Sequence, residues 1–354
     1  MAISVWEVFG MHMADALLSP AVGAAMYAAS AGAIGWSSVR IRKEGLLERK
    51  IPVMAVTGAF VFAAQMINFT IPGTGSSGHI GGGILLAAVL GGFPALLTIA
   101  AVLLIQALFF ADGGLLALGC NLFNLGVIPC LVAYPLLFRP LIRTAASPLR
   151  IMVASVLAGV AGLQLGAFSV VLQTTASGIT VLPFGTFALL MQPIHLAIGV
   201  VEGLVTGAVL IFVHTSRPEL LPGAASGKPL AAGLSMKKVL LTLGIAALVT
   251  GGALSLFASA RPDGLEWAIE RVAGTAELES ESKVHDNASD LQDKVALMPD
   301  YGFASSDETD TAGGTTVAGI VGSAATFALA GAAGLGITVI RARRKKTGAD
   351  RTHV

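Results

Sequence analysis

Polar residues are rare along most of this chain, and their positions divide it into long apolar runs. Runs near 17–38, 51–70, 94–110, 115–138, 151–174, 187–214, 238–258 and 314–340 are, as helices, long enough to span about 30 Å of hydrocarbon. A ninth stretch, 80–92 (IGGGILLAAVLGG), is Gly-rich and short for a crossing. The pattern predicts an all-α polytopic membrane protein.

The basic residues decide how the ninth stretch is read. Arg40, Arg42, Lys43, Arg49 and Lys50 follow the first run, Arg139, Arg143 and Arg150 follow 115–138, and Arg217, Lys228, Lys237 and Lys238 precede 238–258. A last cluster follows 314–340. If 80–92 crosses, 18 of the 22 Lys and Arg share the cytoplasmic side, as the positive-inside rule requires. The expectation is therefore about nine spans, N-terminus out and C-terminus in. A short Gly-rich crossing is viable only where its ends are buried in protein or line a cavity, because unpaired backbone in lipid is costly. A site beside it is thus expected.

Composition agrees with lipid as solvent: 55% of residues are hydrophobic, 12% are charged and 43 of 354 are Gly. Small residues let helices approach closely in a bilayer. A net charge of +1 argues against a nucleic-acid partner. Cys120 and Cys130, ten residues apart on one apolar run, are too distant along a helix for a disulfide and read as packing residues. No cleavable signal peptide is evident at the N-terminus.

Segment 259–313 differs in kind, with thirteen Asp or Glu against four Lys or Arg. It reads as a polar outer loop between the last two spans, and 275–312 as a solvated, partly disordered linker. Its start, Arg261-Pro-Asp-Gly-Leu-Glu-Trp267, is richer in turn chemistry and reads as ordered. The chain thus divides into a leader (1–10), a seven-span core (11–215), a cytoplasmic linker (216–236), a two-span unit (237–346) and a cytoplasmic tail (347–354).

Within the seven-span core, His12 and His79 are the two histidines expected on the outer face outside plain helix interior, and His is the commonest transition-metal ligand. Asp15, Asn68 and Ser77 lie near the same level and could hold the second nitrogen of a ligating imidazole; Asp15 could instead cap the first helix. His195 and Glu202, seven residues apart, share a helical face within one span. They offer intramembrane polar support, either as hydrogen bonding inside the bundle or along a cation path. Asn121 and Asn124 read as contacts between helices. The run 223–229 (GAASGKP) is one residue short of a P-loop and has Pro where Mg²⁺ would need Ser or Thr. A transporter subunit without its own ATPase is expected, not an enzyme.

Four motifs now carry a resemblance: Met11-His12-Met-Ala-Asp15-Ala-Leu-Leu-Ser-Pro20, Asn68-Phe-Thr-Ile-Pro-Gly-Thr74, Ser77-Gly-His79 and Phe110-Ala-Asp112 through Asn124. Together they resemble the substrate-capture (S) subunits of cobalt and nickel energy-coupling-factor transporters, the CbiM/NikM type. Pro262-Asp-Gly-Leu-Glu-Trp267 resembles the PDGLE module related to the small CbiN/NikN accessory subunit, so the chain looks like a fusion of the two.

The resemblance implies a seven-helix bundle plus two further transmembrane helices in the cell inner membrane, with the metal site facing the extracytoplasmic side. It implies Co²⁺ or Ni²⁺ as transported ion, destined for cobalamin synthesis or nickel enzymes, and no permanent cofactor. Implied partners are a transmembrane coupling subunit and cytoplasmic ATPases. The implied ligands are the Met11 nitrogen, the His12 nitrogen and ring, and the His79 ring. Two other classes compete: a similar subunit for a small organic ligand, and a membrane anchor or assembly protein.

Ten residues precede Met11, and a nitrogen inside a peptide bond is an amide without a free lone pair. The expectation is that the mature protein begins at Met11. Mass spectrometry of the mature N-terminus checks this, and a protein beginning at Met1 or Ala2 would overturn the four-nitrogen site.

Overall fold

The computed structural model describes residues 12–44, 50–143, 146–217, 220–221, 235–275, 278, 282–303 and 311–350. Met11, the leader and the run 223–229 lie outside the described residues.

Among the described residues eleven helices follow in order. They are α1 (Pro20–Glu44), α2 (Lys50–Gln65), α3 (Gly83–Leu90), α4 (Gly92–Phe109), α5 (Leu118–Arg143), α6 (Pro148–Ser177), α7 (Phe184–Ser216), α8 (Met236–Gly252), α9 (Gly264–Ala273), α10 (Lys283–Val295) and α11 (Thr311–Asp350). A two-residue antiparallel ladder, β1 (Phe69–Thr70) with β2 (Ser77–Gly78), closes the turn between α2 and α3. Five helices, α4 to α7 and α11, are long and apolar enough to cross a membrane. The fold is an all-helical, multi-span membrane bundle.

Packing follows the lipid rule. Where α6 meets α7, a Cβ on Gly203 would lie 2.4 Å from the Val156 backbone, so only glycine allows that approach. These helices also carry Leu149, Leu157, Leu165, Leu172, Leu189, Leu196 and Leu204, all exposed and suited to lipid. Cys120 and Cys130 are free and buried. Pro129 and Pro135 each remove a helix donor, and α5 takes wide π-type turns over Phe123–Phe138. Pro129 then packs against Gly83, where an added Cβ would come within 2.6 Å of its ring.

The Gly-rich stretch forms α3, all eight of whose residues are buried. It runs from the level of Val61, where Gly82 adopts φ +74°, back to the start of α2, where Lys50 Nζ donates to the Leu90 carbonyl at 3.1 Å. The open amides at its start meet a carboxylate from α7: Glu202 accepts from Gly81 N at 2.9 Å and from Gly82 N at 3.1 Å. Gln65 Nε2 donates to the Gly81 carbonyl at 2.9 Å, and Gln106 Nε2 donates to Gln65 Oε1 at 3.0 Å. Glu202 thus provides hydrogen bonding inside the bundle, tying α7 to α3, while His195 on the same face lies elsewhere.

The acidic segment departs from the linker expected for 275–312. Residues 283–295 form helix α10, which docks on the bundle through polar side chains. His285 Nε2 lies 2.8 Å from the Leu18 carbonyl, and Gln292 Nε2 donates to Ala107 O at 2.9 Å and Gly113 O at 2.8 Å. His285 and Gln292 are two turns apart on one face and both are buried. The anchors are polar, so no apolar periodicity announces them.

Removing the Glu202 carboxylate leaves two buried amides unpaired, at about 1–3 kcal/mol each. Glu202→Ala is expected to lower the thermal midpoint of the purified protein by several degrees, an effect absent from the lipid-facing control Leu204→Ala. Equal midpoints for the two variants would refute this role.

Candidate metal-capture site

The segment before α1, the β1–β2 turn and the α4–α5 connection meet at one end of the bundle, around a cavity of about 70 Å³. Its walls include His12, His79, Asn121, His195 and Asp263.

His12 is held by its neighbours on both sides. Met13 N donates to Asn121 Oδ1 at 3.1 Å and Asn121 Nδ2 donates to Met13 O at 3.2 Å, pairing this backbone as a strand would. Asn121 therefore pins the N-terminal segment instead of joining two helices. Asn124 does join helices, exchanging hydrogen bonds with Gln173 on α6. His12 Nδ1 lies 2.9 Å from Asp112 Oδ1 with both side chains buried. His12 Nε2 is buried without a hydrogen-bond partner among the described residues. Ala111 sits at φ +54°, a costly conformation for alanine, which turns the α4–α5 connection next to Asp112.

His79 follows β2, its Nδ1 3.3 Å from the Ile80 carbonyl, and its ring centroid lies 5.6 Å from that of His12 at a 49° tilt. The structure thus brings together the two histidines expected as ligands. His195 lines the same cavity, with Nδ1 2.8 Å from the Met191 carbonyl.

The other expected site residues hold the surrounding loops. Asp15 Oδ1 accepts from Ala117 N at 2.8 Å, securing the N-terminal segment to α5. Ser77 Oγ donates to Arg261 O at 2.7 Å. The Asn68 carbonyl accepts from Ser259 N at 2.7 Å, and its side-chain oxygen is buried without a hydrogen-bond partner among the described residues.

Burial disfavours a charged His12, but the charge and hydrogen bond of Asp112 outweigh it and raise the imidazole above its ordinary 6.5. Burial likewise works against an ionised Asp112, but His12 and the Tyr301 hydroxyl hold its carboxyl below the usual range.

The PDGLE motif roofs the cavity, and each residue has a task there. The Pro262 carbonyl accepts from Ser77 N at 2.8 Å. Asp263 caps α9, its Oδ1 accepting from Leu265 N at 2.8 Å and Glu266 N at 2.9 Å. Glu266 Oε2 accepts in return from Asp263 N at 3.1 Å, completing a capping box. A Cβ on Gly264 would stand 3.1 to 3.2 Å from Ile198, His195 and Ile194, so glycine lets α9 seat closely. Leu265 is buried, and Trp267 Nε1 donates to the Thr74 carbonyl at 3.0 Å. Burial raises both carboxyls of the box, and Glu266 is raised further by the charge of Asp263.

Asp112, Tyr301 and Asp263 were not among the expected site residues. Asp112 stands in a motif quoted above, but only a contact between segments 100 residues apart pairs it with His12.

Comparison with known proteins gives matches over both parts of the chain. Residues 12–220 match the family model described as "Cobalt uptake substrate-specific transmembrane region" (CbiM), and residues 237–339 match the PDGLE domain. A chain of Archaeoglobus fulgidus named as a fused nickel transport protein, NikMN, is 31% identical over 90% of this chain and 96% of its own length. The fused nickel transport protein NikMN of Rhodobacter capsulatus is 32% identical over 73% of this chain and 76% of its own. The crystal structure of a transition metal transporter superposes with TM-score 0.51 and 28% identity, covering 58% of this chain and 92% of that one. Two matched segments in this order, spanning nearly the whole of a fused relative, identify the chain as a member of the CbiM family of cobalt uptake substrate-specific transmembrane proteins, fused to a C-terminal PDGLE domain.

Proposed function

We propose that this protein is the capture (S) subunit of an energy-coupling-factor importer, taking Co²⁺ or Ni²⁺ from the outer side of the cell inner membrane. The observation that carries this reading is the meeting of His12 and His79, ring centroids 5.6 Å apart, across a cavity of about 70 Å³. Sites for organic ligands usually enclose about 300–1,000 Å³, so the space suits an ion and counts against a small organic molecule. The anchor reading has little support either, because the acidic segment that would bind a partner is docked on its own chain through His285, Gln292 and Tyr301.

In this reading the ligands are the Met11 nitrogen, the His12 nitrogen and ring, and the His79 ring. Among the described residues no group of three or more His, Cys, Asp or Glu is arranged for a metal; the backbone nitrogens in this set come from the family resemblance. Such a nitrogen-rich set favours Ni²⁺, Cu²⁺ or Co²⁺ over Mg²⁺ and Ca²⁺. Asp112 is the carboxylate that faces the His12 ring. Asp15 and Ser77 steady the loops that carry the two histidines, with Asn68 in the adjoining turn.

The orientation is that of the positive-inside rule: nine crossings counting α3, N-terminus out and C-terminus in. The capture unit is 11–215 and the accessory unit 237–346, joined by the linker 216–236. A transmembrane coupling subunit and cytoplasmic ATPases dock at the inner face and supply the energy. The ion serves cobalamin synthesis or nickel enzymes.

His12→Ala and His79→Ala are each expected to abolish metal in the purified protein, measured by elemental analysis, without lowering its helical content. Wild-type metal content in both variants would refute the site. A pH dependence follows from the raised His12. Protons compete for its ring from above 6.5 downwards, so affinity falls as acid charges the imidazole. Asp112→Asn removes the group that favours the charged form, and the midpoint of that loss moves to lower pH. Titrations between about pH 8 and about pH 5.5 read this, and an unmoved midpoint would count against it.

A further inference from the structure

We propose that the groove at the far end of α5, between Arg139 and Arg143, binds the phosphate headgroup of an anionic phospholipid. The inference goes beyond the capture reading and does not depend on it. Asn121 of α5 lines the capture cavity, and Arg139 lies about 25 Å further along the same helix.

The last turns of α5 are fixed in rotation by what they bury. Tyr134, Phe138 and Ile142 recur at every fourth residue and all three are buried, the rings of Tyr134 and Phe138 stacking with centroids 5.9 Å apart. The ridge one residue further on, Pro135, Arg139 and Arg143, therefore turns away from that core. Together with Pro140 it lines a groove of about 350 Å³. Two guanidiniums one helical turn apart thus face a single space. The prolines contribute no backbone N–H, so the donors along this ridge are the two guanidiniums.

The charge in the groove is unbalanced. Among the described residues neither Arg139 nor Arg143 has a carboxylate partner. Other cations that the positive-inside pattern groups with them are engaged: Arg40 lies 5.7 Å over the Trp36 ring, and Lys50 Nζ donates to the Leu90 carbonyl. The groove also stands at a change of surface. Leu136, Leu137 and Leu141 are exposed beside it, as is Leu149 at the start of α6. Exposed leucine next to exposed arginine marks the level where acyl chains give way to headgroups. A soluble anion would use the guanidiniums alone, whereas a phospholipid uses both surfaces, phosphate in the groove and chains along the leucines. The planar guanidinium pairs its N–H groups with phosphate oxygens, and basic pockets between spans on the cytoplasmic side suit anionic headgroups.

The test uses the full chain, purified in detergent and stripped of bound lipid, titrated with fluorescent phosphatidylglycerol or the matching phosphatidylcholine, whose choline balances the phosphate charge. The wild type is expected to prefer phosphatidylglycerol. Arg139→Gln combined with Arg143→Gln is expected to weaken phosphatidylglycerol binding by about fivefold or more and to leave phosphatidylcholine binding unchanged. Both arginines are exposed, so helical content by circular dichroism is expected to stay at the wild-type value. Arg42→Gln combined with Lys43→Gln removes as many charges from the end of α1, outside the groove, and is expected to bind as wild type. Three results would each overturn the proposal. Wild-type phosphatidylglycerol affinity in the Arg139 and Arg143 variant would remove the site. An equal loss in the α1 variant would reduce it to general surface charge. Displacement of the lipid by millimolar inorganic phosphate would assign the groove to a soluble anion.

Discussion

The carboxylate of Glu202 sits deep in the bundle and accepts the amides of Gly81 and Gly82. An eight-residue helix within an apolar bundle has open amides at its start and no water to satisfy them, so α3 can exist there only if protein supplies the acceptors. Glu202 supplies two, and Gln65, backed by Gln106, takes up the neighbouring Gly81 carbonyl. Because Gly81 comes two residues after His79, the bond that allows α3 to form also fixes where His79 leaves the turn. The site inherits its geometry from a solvation problem at the base of the turn.

The N-terminal half of the site is built in the same way, by pairing groups that burial would otherwise penalise. His12 and Asp112 are both buried, a charged member of either would be costly alone, and their contact at 2.9 Å offsets that cost. Asn121 treats the Met13 backbone as a strand partner, giving order to a segment too short to order itself. The C-terminal module closes the arrangement, with PDGLE over the cavity and Tyr301 on the far oxygen of Asp112. Its motif is readable as a set of local requirements: a carbonyl for Ser77, a helix cap, a small residue for close approach, and a capping-box glutamate.

Much of the helical layout was legible along the chain because a bilayer imposes one dominant rule. The apolar runs near 94–110, 115–138, 151–174 and 187–214 became α4 to α7 with ends shifted by a few residues. The oddity of 80–92 was legible too, since a short Gly-rich stretch among full-length spans demands buried ends. The acidic segment was not, because α10 is held by His285 and Gln292 bonding to carbonyls, and such anchors leave no periodic apolar signature.

By itself, then, the sequence determined a multi-span helical protein with two histidine-bearing motifs, because hydrophobic run length and residue chemistry are local properties. Only the tertiary structure decided which groups meet: Asp112 with His12, Tyr301 with Asp112, Glu202 with the start of α3, and Asp263 over the cavity. The first three of these pairs join segments 100 to 189 residues apart in the chain. The physical reason is that a buried hydrogen bond depends on angles and tenths of an ångström, set by helix packing that no single stretch of chain specifies.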